Sequence, residues 1–264
     1  MPSVLSIAGS DPTGGAGIQA DCQVLAAFGV HAAAVPTALT IQNGLRVRRV
    51  LPVFPSLVLE QLRATLDAVR PDAIKIGMLA SDDVVRNVMI ALAGYEKTPV
   101  VIDPVLAASD GTLLLERRAY PALRGLIQGR CLLTPNWPEA EILVDTKLPG
   151  RRDGEAAARQ LLLDLELEGV LLKGGHLEGD ASDLLVWRSE ATGGDGIRSE
   201  WLPGERIAGA SVHGTGCALS TAIAAGLATG HSLRDSVVEA RRYVKQAIRR
   251  AHTLNNGARL LAFR

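Results

Sequence analysis

Val4-Leu5-Ser6-Ile7-Ala8-Gly9-Ser10-Asp11-Pro12-Thr13-Gly14-Gly15-Ala16-Gly17 starts as a short apolar strand and runs into a glycine-rich turn. Residues 18–28 then read as a helix, and the same alternation recurs outward from there. The spacing predicts strands over 4–8, 31–40, 73–77, 100–103, 131–134 and 170–173. Several are continuous Val/Ile/Leu runs, as expected of strands covered on both faces. Helical spacing covers 56–69, 82–93, 116–127, 155–165, 217–229 and 234–252. In the last of these, Val237, Val238, Ala240, Val244, Ala247, Ile248 and Ala251 share one face. Strands alternating with helices predict an α/β fold, its mainly parallel central sheet flanked by helices on both faces. The stretch 179–210 differs: two strand-like runs, 184–187 and 197–201, flank Gly193-Gly194-Asp195-Gly196. That pattern predicts a small antiparallel hairpin added to the sheet. No linker, repeat or composition shift divides the chain, so residues 1–264 are expected to form a single domain.

Composition excludes several classes. The 264 residues hold 28 Lys+Arg and 28 Asp+Glu, a net charge of zero, and only 3% are aromatic. A general nucleic-acid binder carries a basic excess and stacking platforms, so no nucleic-acid partner is expected. Hydrophobic residues at 47% argue against disorder. Cys22, Cys131 and Cys217 are widely spaced, with no CxxC pair, which excludes a disulfide framework and a zinc knuckle. The uncharged stretches 22–45 and 214–233 are interrupted by Gly, Pro and polar residues. They read as buried elements rather than membrane spans, and the expected location is cytoplasmic.

The turn after the first strand can bring backbone N–H groups close to a ligand. It is no Walker A loop, because Gly15-Ala16 follows Gly14. Gly15-x-Gly17-x-x-Ala20 matches a dinucleotide pattern, but 35–45 holds no acidic residue for a ribose, so that site is rejected. A tight turn without ligand remains open, as does a solvated charge for Asp21. His213-Gly214-Thr215-Gly216-Cys217 precedes an apolar helix. The free N–H groups and dipole of such a start suit a phosphate or a developing negative charge. The same field favours thiolate at Cys217, which could deprotonate an alcohol nucleophile. An inert buried cysteine is the bland alternative.

Lys173-Gly174-Gly175-His176 ends an apolar strand, where α/β sheets bind ligands and a lysine suits phosphate. Asp103-Pro104 also ends a strand, and its carboxylate could hold magnesium directly or through water. In Thr134-Pro135-Asn136-Trp137-Pro138-Glu139 the Asn and Glu also fit plain helix capping. Convergence favours function: separate strand ends carry glycines, carboxylates, an amide, a lysine and an anion-binding helix start on one rim.

These residues, with Ile18-Gln19-Ala20-Asp21, Thr37-Ala38-Leu39-x-x-Gln42-Asn43 and Lys75-Ile76-Gly77-Met78-Leu79, resemble the hydroxymethylpyrimidine/phosphomethylpyrimidine kinases of thiamine biosynthesis. The resemblance runs in order from about residue 4 to about residue 245. It implies a ribokinase-like fold, ATP and magnesium. It implies phosphorylation of 4-amino-5-hydroxymethyl-2-methylpyrimidine and then of its monophosphate. In that reading Gln42, Gly9, Asp21 and Met78 surround the pyrimidine, and Lys173 contacts ATP phosphates. Asn136 and Glu139 arrange phosphate and magnesium with Asp103 assisting, Gly214, Thr215 and Gly216 form the anion hole, and Cys217 is the base. Members of the family often form homodimers. The chain departs from the usual pattern at Leu106-Ala107-Ala108-Ser109-Asp110-Gly111, at Ala210-Ser211-Val212 and from Asn256 onward. Pyridoxal kinase and a non-catalytic pyrimidine sensor are the alternatives; a sensor has no need of Lys173, Glu139 and Cys217.

Overall fold

The computed structural model describes residues 1–176, 181–189, 196–207 and 211–263. In chain order the first elements are β1 (Ser3–Ser10), α1 (Gly17–Ala27), β2 (His31–Gln42), β3 (Val47–Pro52), α2 (Pro55–Val69), β4 (Ala73–Ile76), α3 (Asp82–Ala91), β5 (Val100–Ile102) and α4 (Tyr120–Ile127). Then come β6 (Leu132–Leu133), α5 (Trp137–Val144), α6 (Arg151–Asp164), β7 (Gly169–Leu172), β8 (Asp183–Arg188) and β9 (Ile197–Leu202). The last are β10 (Val212–His213), α7 (Thr215–Ala228), α8 (Leu233–Arg249), β11 (His252–Thr253) and β12 (Arg259–Leu260). The chain divides into two compact units, Met1–Leu126 with Gly209–Arg264, and Ile127–Ala208.

In the larger unit the strand order is β3-β2-β1-β4-β5. β1 lies centrally and pairs in parallel with β2 and β4, Ile7 opposite both Val35 and Ile76. Val4, Leu5 and Ile7 are 0% exposed, so both faces of β1 are covered. Each such side chain stabilises by about 1.5–3 kcal/mol on burial. Helices α1 and α7 pack on each other and on β1, α7 also meets α8, and α2 packs on β2 and α3. Because β1, β4 and β5 run parallel, Gly9 near the end of β1, Gly77 after β4 and Asp103 after β5 lie at the sheet's carboxyl edge. A three-stranded sheet, β10-β12-β11, completes the unit.

In the smaller unit β6 and β7 are parallel, while β8 and β9 add antiparallel partners, Val186 opposite both Val170 and Ser199. This is the expected hairpin; its turn residues 193–195 lie outside the described residues. Gly154 lets α6 approach the Trp137 ring, since a Cβ there would lie 2.2 Å from Trp137 Cη2. Among the described residues no helix is long and apolar enough to cross a membrane. The expected strands are present, and the helix start read at Asn136 opens α5; β3 and β10–β12 are additional to the sequence pattern. They are short, and Arg48 and Arg49 interrupt any apolar period in β3.

Candidate active site

The larger unit carries Gly9, Gln42, Met78 and the start of α7. Gly9 ends the buried run of β1, and a Cβ there would lie 2.9 Å from Met78 Sδ, so glycine gives Met78 its room. Met78 is 8% exposed and packs with Ala38, Ala80 and Leu114. Thr37 Oγ1 donates to the Met78 carbonyl at 2.5 Å, fixing that segment to β2. The β2–β3 register shifts between Ile41 and Gln42, and such an irregularity re-aims a side chain. Gln42 Nε2 donates to Thr40 Oγ1 at 2.7 Å, and Thr40 Oγ1 donates to the Ser10 carbonyl at 2.8 Å. The Gln42 amide is thereby tethered to the Ser10 end of the glycine-rich turn.

That turn meets the start of α7. Gly214 is the N-cap, with φ +83° and no side-chain cap. A Cβ on it would lie 1.7 Å from the Gly15 carbonyl oxygen, so the two backbones are in contact. Thr215, Gly216 and Cys217 form the first turn, where N–H groups lack intrahelical partners. His213 Nε2 lies 2.9 Å from Asp11 Oδ2, and Asp11 also accepts Thr13 and Ala16 N–H at 2.9 Å each. Burial pushes Asp11 up, but the His213 and Thr13 bonds prevail and hold it below the usual carboxylate range. Asp11 thus ties both turns together.

Beneath the turns lies a charge cluster that sequence reasoning missed. Lys75, 0% exposed, donates Nζ–H to Asp21 Oδ2 at 2.8 Å. Asp21, also 0% exposed, accepts Ser6 Oγ at 2.5 Å and Thr221 Oγ1 at 2.6 Å. Asp21 is therefore no solvated charge, and with its carboxylate enclosed it does not take the expected place against the pyrimidine. It holds Lys75 instead. A lysine within the apolar run Ala73-Ile74-Lys75-Ile76 was the available signal, since an unpaired lysine is almost never fully buried. Burial opposes the Lys75 charge, but Asp21, Cys217 and Asp103 hold its pKa above the ordinary value. The expected thiolate character of Cys217 is corrected in turn. Burial pushes that thiol up, aided by Asp103 and Asp21, against the pull of Lys75 and of hydrogen bonding from the Gly17 backbone.

The smaller unit assembles the other group. Asn136 Oδ1 accepts the Glu139 N–H at 2.9 Å and Glu139 Oε2 accepts the Asn136 N–H at 2.8 Å, a capping box at the start of α5. Lys173 follows β7, bridges to Asn136 and donates its N–H to the Pro135 carbonyl at 2.9 Å. A Cβ on Gly174 would lie 1.7 Å from the Ser182 carbonyl oxygen, so the turn carrying Lys173 is closely packed. Lys173, Asn136 and Glu139 are thus together in one place. Among the described residues no group of three His, Cys, Asp or Glu side chains could enclose a metal. Glu139 in the smaller unit is 5% exposed, and Asp103 in the larger unit is 2% exposed. Such sparse donors suit magnesium, which is held largely by phosphates and water rather than by an all-protein cage.

The family model described as phosphomethylpyrimidine kinase matches residues 11–262. A hydroxymethylpyrimidine/phosphomethylpyrimidine kinase of Mycobacterium tuberculosis is 40% identical over 260 residues, 97% of this chain and 91% of that protein. The thiamine biosynthesis bifunctional protein ThiED of Geobacter sulfurreducens is 40% identical over 257 residues, 97% of this chain, which spans 51% of that relative's length. The solved ADP complex of Bacillus subtilis pyridoxal kinase superposes with a TM-score of 0.86 at 29% identity, over 100% of this chain and 97% of that one.

Proposed function

Since the chain belongs to the phosphomethylpyrimidine kinase family, we propose that it transfers the γ-phosphoryl group of ATP to the hydroxymethyl oxygen of 4-amino-5-hydroxymethyl-2-methylpyrimidine, and then to the resulting monophosphate, in thiamine biosynthesis. Gln42 offers donor and acceptor to the heterocycle edge while Met78, with Gly9 beneath it, provides an apolar wall. The amides of Thr215, Gly216 and Cys217 stabilise the charge developing on the transferred group. Cys217 accepts the hydroxyl proton. Lys173 binds ATP phosphates, and Asn136 and Glu139 orient them, with Glu139 as a magnesium donor. Magnesium, when bound, neutralises phosphate charge in the transition state. The ADP complex of the pyridoxal kinase neighbour supports nucleotide use. The family match runs through both units, which supports the expectation of one kinase domain. Exposed Leu39, Ile41 and Leu51 on the β2–β3 pair support a homodimer, testable by light scattering. An ATP-using biosynthetic kinase of this kind works in the cytoplasm.

The observation that carries this reading is the uncapped N-terminus of α7 packed on the turn to which Gln42 is tethered. One arrangement thereby offers heterocycle recognition and anion stabilisation. The test is a coupled ATPase assay with the pyrimidine alcohol, its monophosphate and pyridoxal in parallel. Turnover with the first two is expected. Turnover with pyridoxal alone would assign the protein to that vitamer, and none with any substrate would leave a binding role.

A further inference from the structure

Residues 254–261 carry no role in the reaction above, yet they touch its acceptor side repeatedly. Asn256 donates Nδ2–H to the Asn43 carbonyl at 2.8 Å, one residue beyond Gln42. Its Oδ1 accepts the Ala258 N–H at 3.1 Å, and the Leu254 N–H reaches the Ala258 carbonyl at 2.8 Å, closing a turn through Gly257. Ala258 and Leu260 are 1% and 3% exposed. A Cβ on Gly44 would lie 3.0 Å from Ala258 Cβ, and one on Gly15 would lie 2.6 Å from Leu260 Cδ2. β12 then pairs in parallel with β10, Leu260 opposite His213 and Arg259 opposite Val212. One short segment is therefore fastened to the end of β2, to the glycine-rich turn and to the strand that delivers the anion hole.

The physical need is clear at Gln42. Its strand end carries a register shift and is followed by the partly exposed stretch Asn43-Gly44-Leu45-Arg46. Sheet ends with few buried contacts open locally at low free energy. A recognition amide that wanders must be ordered again with each substrate, at a cost in affinity. We propose that residues 254–261 form a strap that holds Gln42 in its acceptor-reading position relative to the anion hole, with Asn256 and Leu260 as positioning residues. The kinetic consequence rests on the kinase reading above; the mechanical coupling does not.

Asn256→Asp separates the two bonds of this side chain. A carboxylate still accepts the Ala258 N–H and keeps the turn, but it cannot donate to the Asn43 carbonyl. In the full chain, Asn256→Asp and Asn256→Ala are both expected to raise the KM for the pyrimidine alcohol about fivefold, on the scale of one lost hydrogen bond, with the KM for ATP unchanged. A purely local turn role would leave Asn256→Asp like the wild type, and that result overturns the proposal. Hydrogen exchange on the ligand-free protein supplies a readout independent of activity. Amides at 43–46 should exchange faster in Asn256→Asp while those of β4 stay protected. Unchanged exchange at 43–46 sinks the strap even if the enzyme turns over. Faster exchange in a protein that phosphorylates no pyrimidine would keep the strap and remove the kinase reading.

Discussion

Lys75 Nζ and Asp21 Oδ2 lie 2.8 Å apart, and neither side chain is exposed. Burying two charges costs several kcal/mol per ion before their attraction is counted, so such a pair is poor evidence of stability by itself. Ser6 and Thr221 satisfy the carboxylate further, and the ammonium is favoured chiefly by Asp21, with Asp103 adding to it. Removing one partner strands the other. Lys75→Met is expected to destabilise by about 3–5 kcal/mol, and adding Asp21→Leu should recover most of the loss. Urea unfolding midpoints of the single and double variants check this. A single variant as stable as the wild type would mean that Asp21 is not held there as a charge.

The Asp11–His213 contact makes a pH prediction. Burial alone would raise the Asp11 pKa, yet its hydrogen bonds from His213 and Thr13 lower it. The folded value therefore lies below the unfolded one, about 3.9. The stabilisation is fully present above the unfolded value and is lost as pH falls through the folded one. Thermal melts between about pH 6 and 2 should show a steeper loss of Tm in the wild type than in Asp11→Asn. Parallel profiles would show that the carboxylate is not held in its charged form by these contacts.

Much of this fold is legible in local pattern. The run Val100–Ile102 reads as a buried parallel strand because it is apolar without interruption, and it is one. Asn136 and Glu139 carry the spacing of a capping box, and the box forms. The lysine in the apolar run 73–76 signals a buried charge, but nothing local names Asp21 as its partner. The two stand 54 residues apart, and Thr221 joins Asp21 from 200 residues away. The two-residue strands β10 and β12 are too short for any period to register. Cys217 shows the limit most plainly. Its place in a helix's first turn predicts a lowered pKa, but desolvation by the surrounding chain outweighs that field even though the residue is partly exposed.

The raised thiol pKa shapes the reaction's pH dependence. Because burial favours the protonated thiol at Cys217, a rate limited by its proton-accepting form should climb as pH rises. Cys217→Ala should lower kcat by about 10² or more, the scale of general-base catalysis, with little change in either KM. The variant should also lose the alkaline rise. A coupled assay across pH decides both points, and near-normal rates for Cys217→Ala would remove the sulfur from the mechanism.

Gln42 makes the sharpest claim about recognition. Its Nε2 is committed to Thr40 Oγ1, and Thr40 to the Ser10 carbonyl, so Oε1 and the second N–H are presented in a fixed direction. Leucine has nearly the same volume and offers neither donor nor acceptor. With Gln42→Leu the polar edge of a bound pyrimidine would lose its partners and remain desolvated, which costs more than the bond itself. The expected result is a rise of about tenfold or more in the KM for the pyrimidine alcohol. The KM for ATP should hold, because Lys173, Asn136 and Glu139 are untouched, and kcat at saturation should fall much less than in Cys217→Ala. Steady-state kinetics with each substrate varied separately distinguishes these effects. An unchanged pyrimidine KM would show that the heterocycle is read elsewhere, and equal losses in both KM values would point to a disturbed fold rather than to a lost contact.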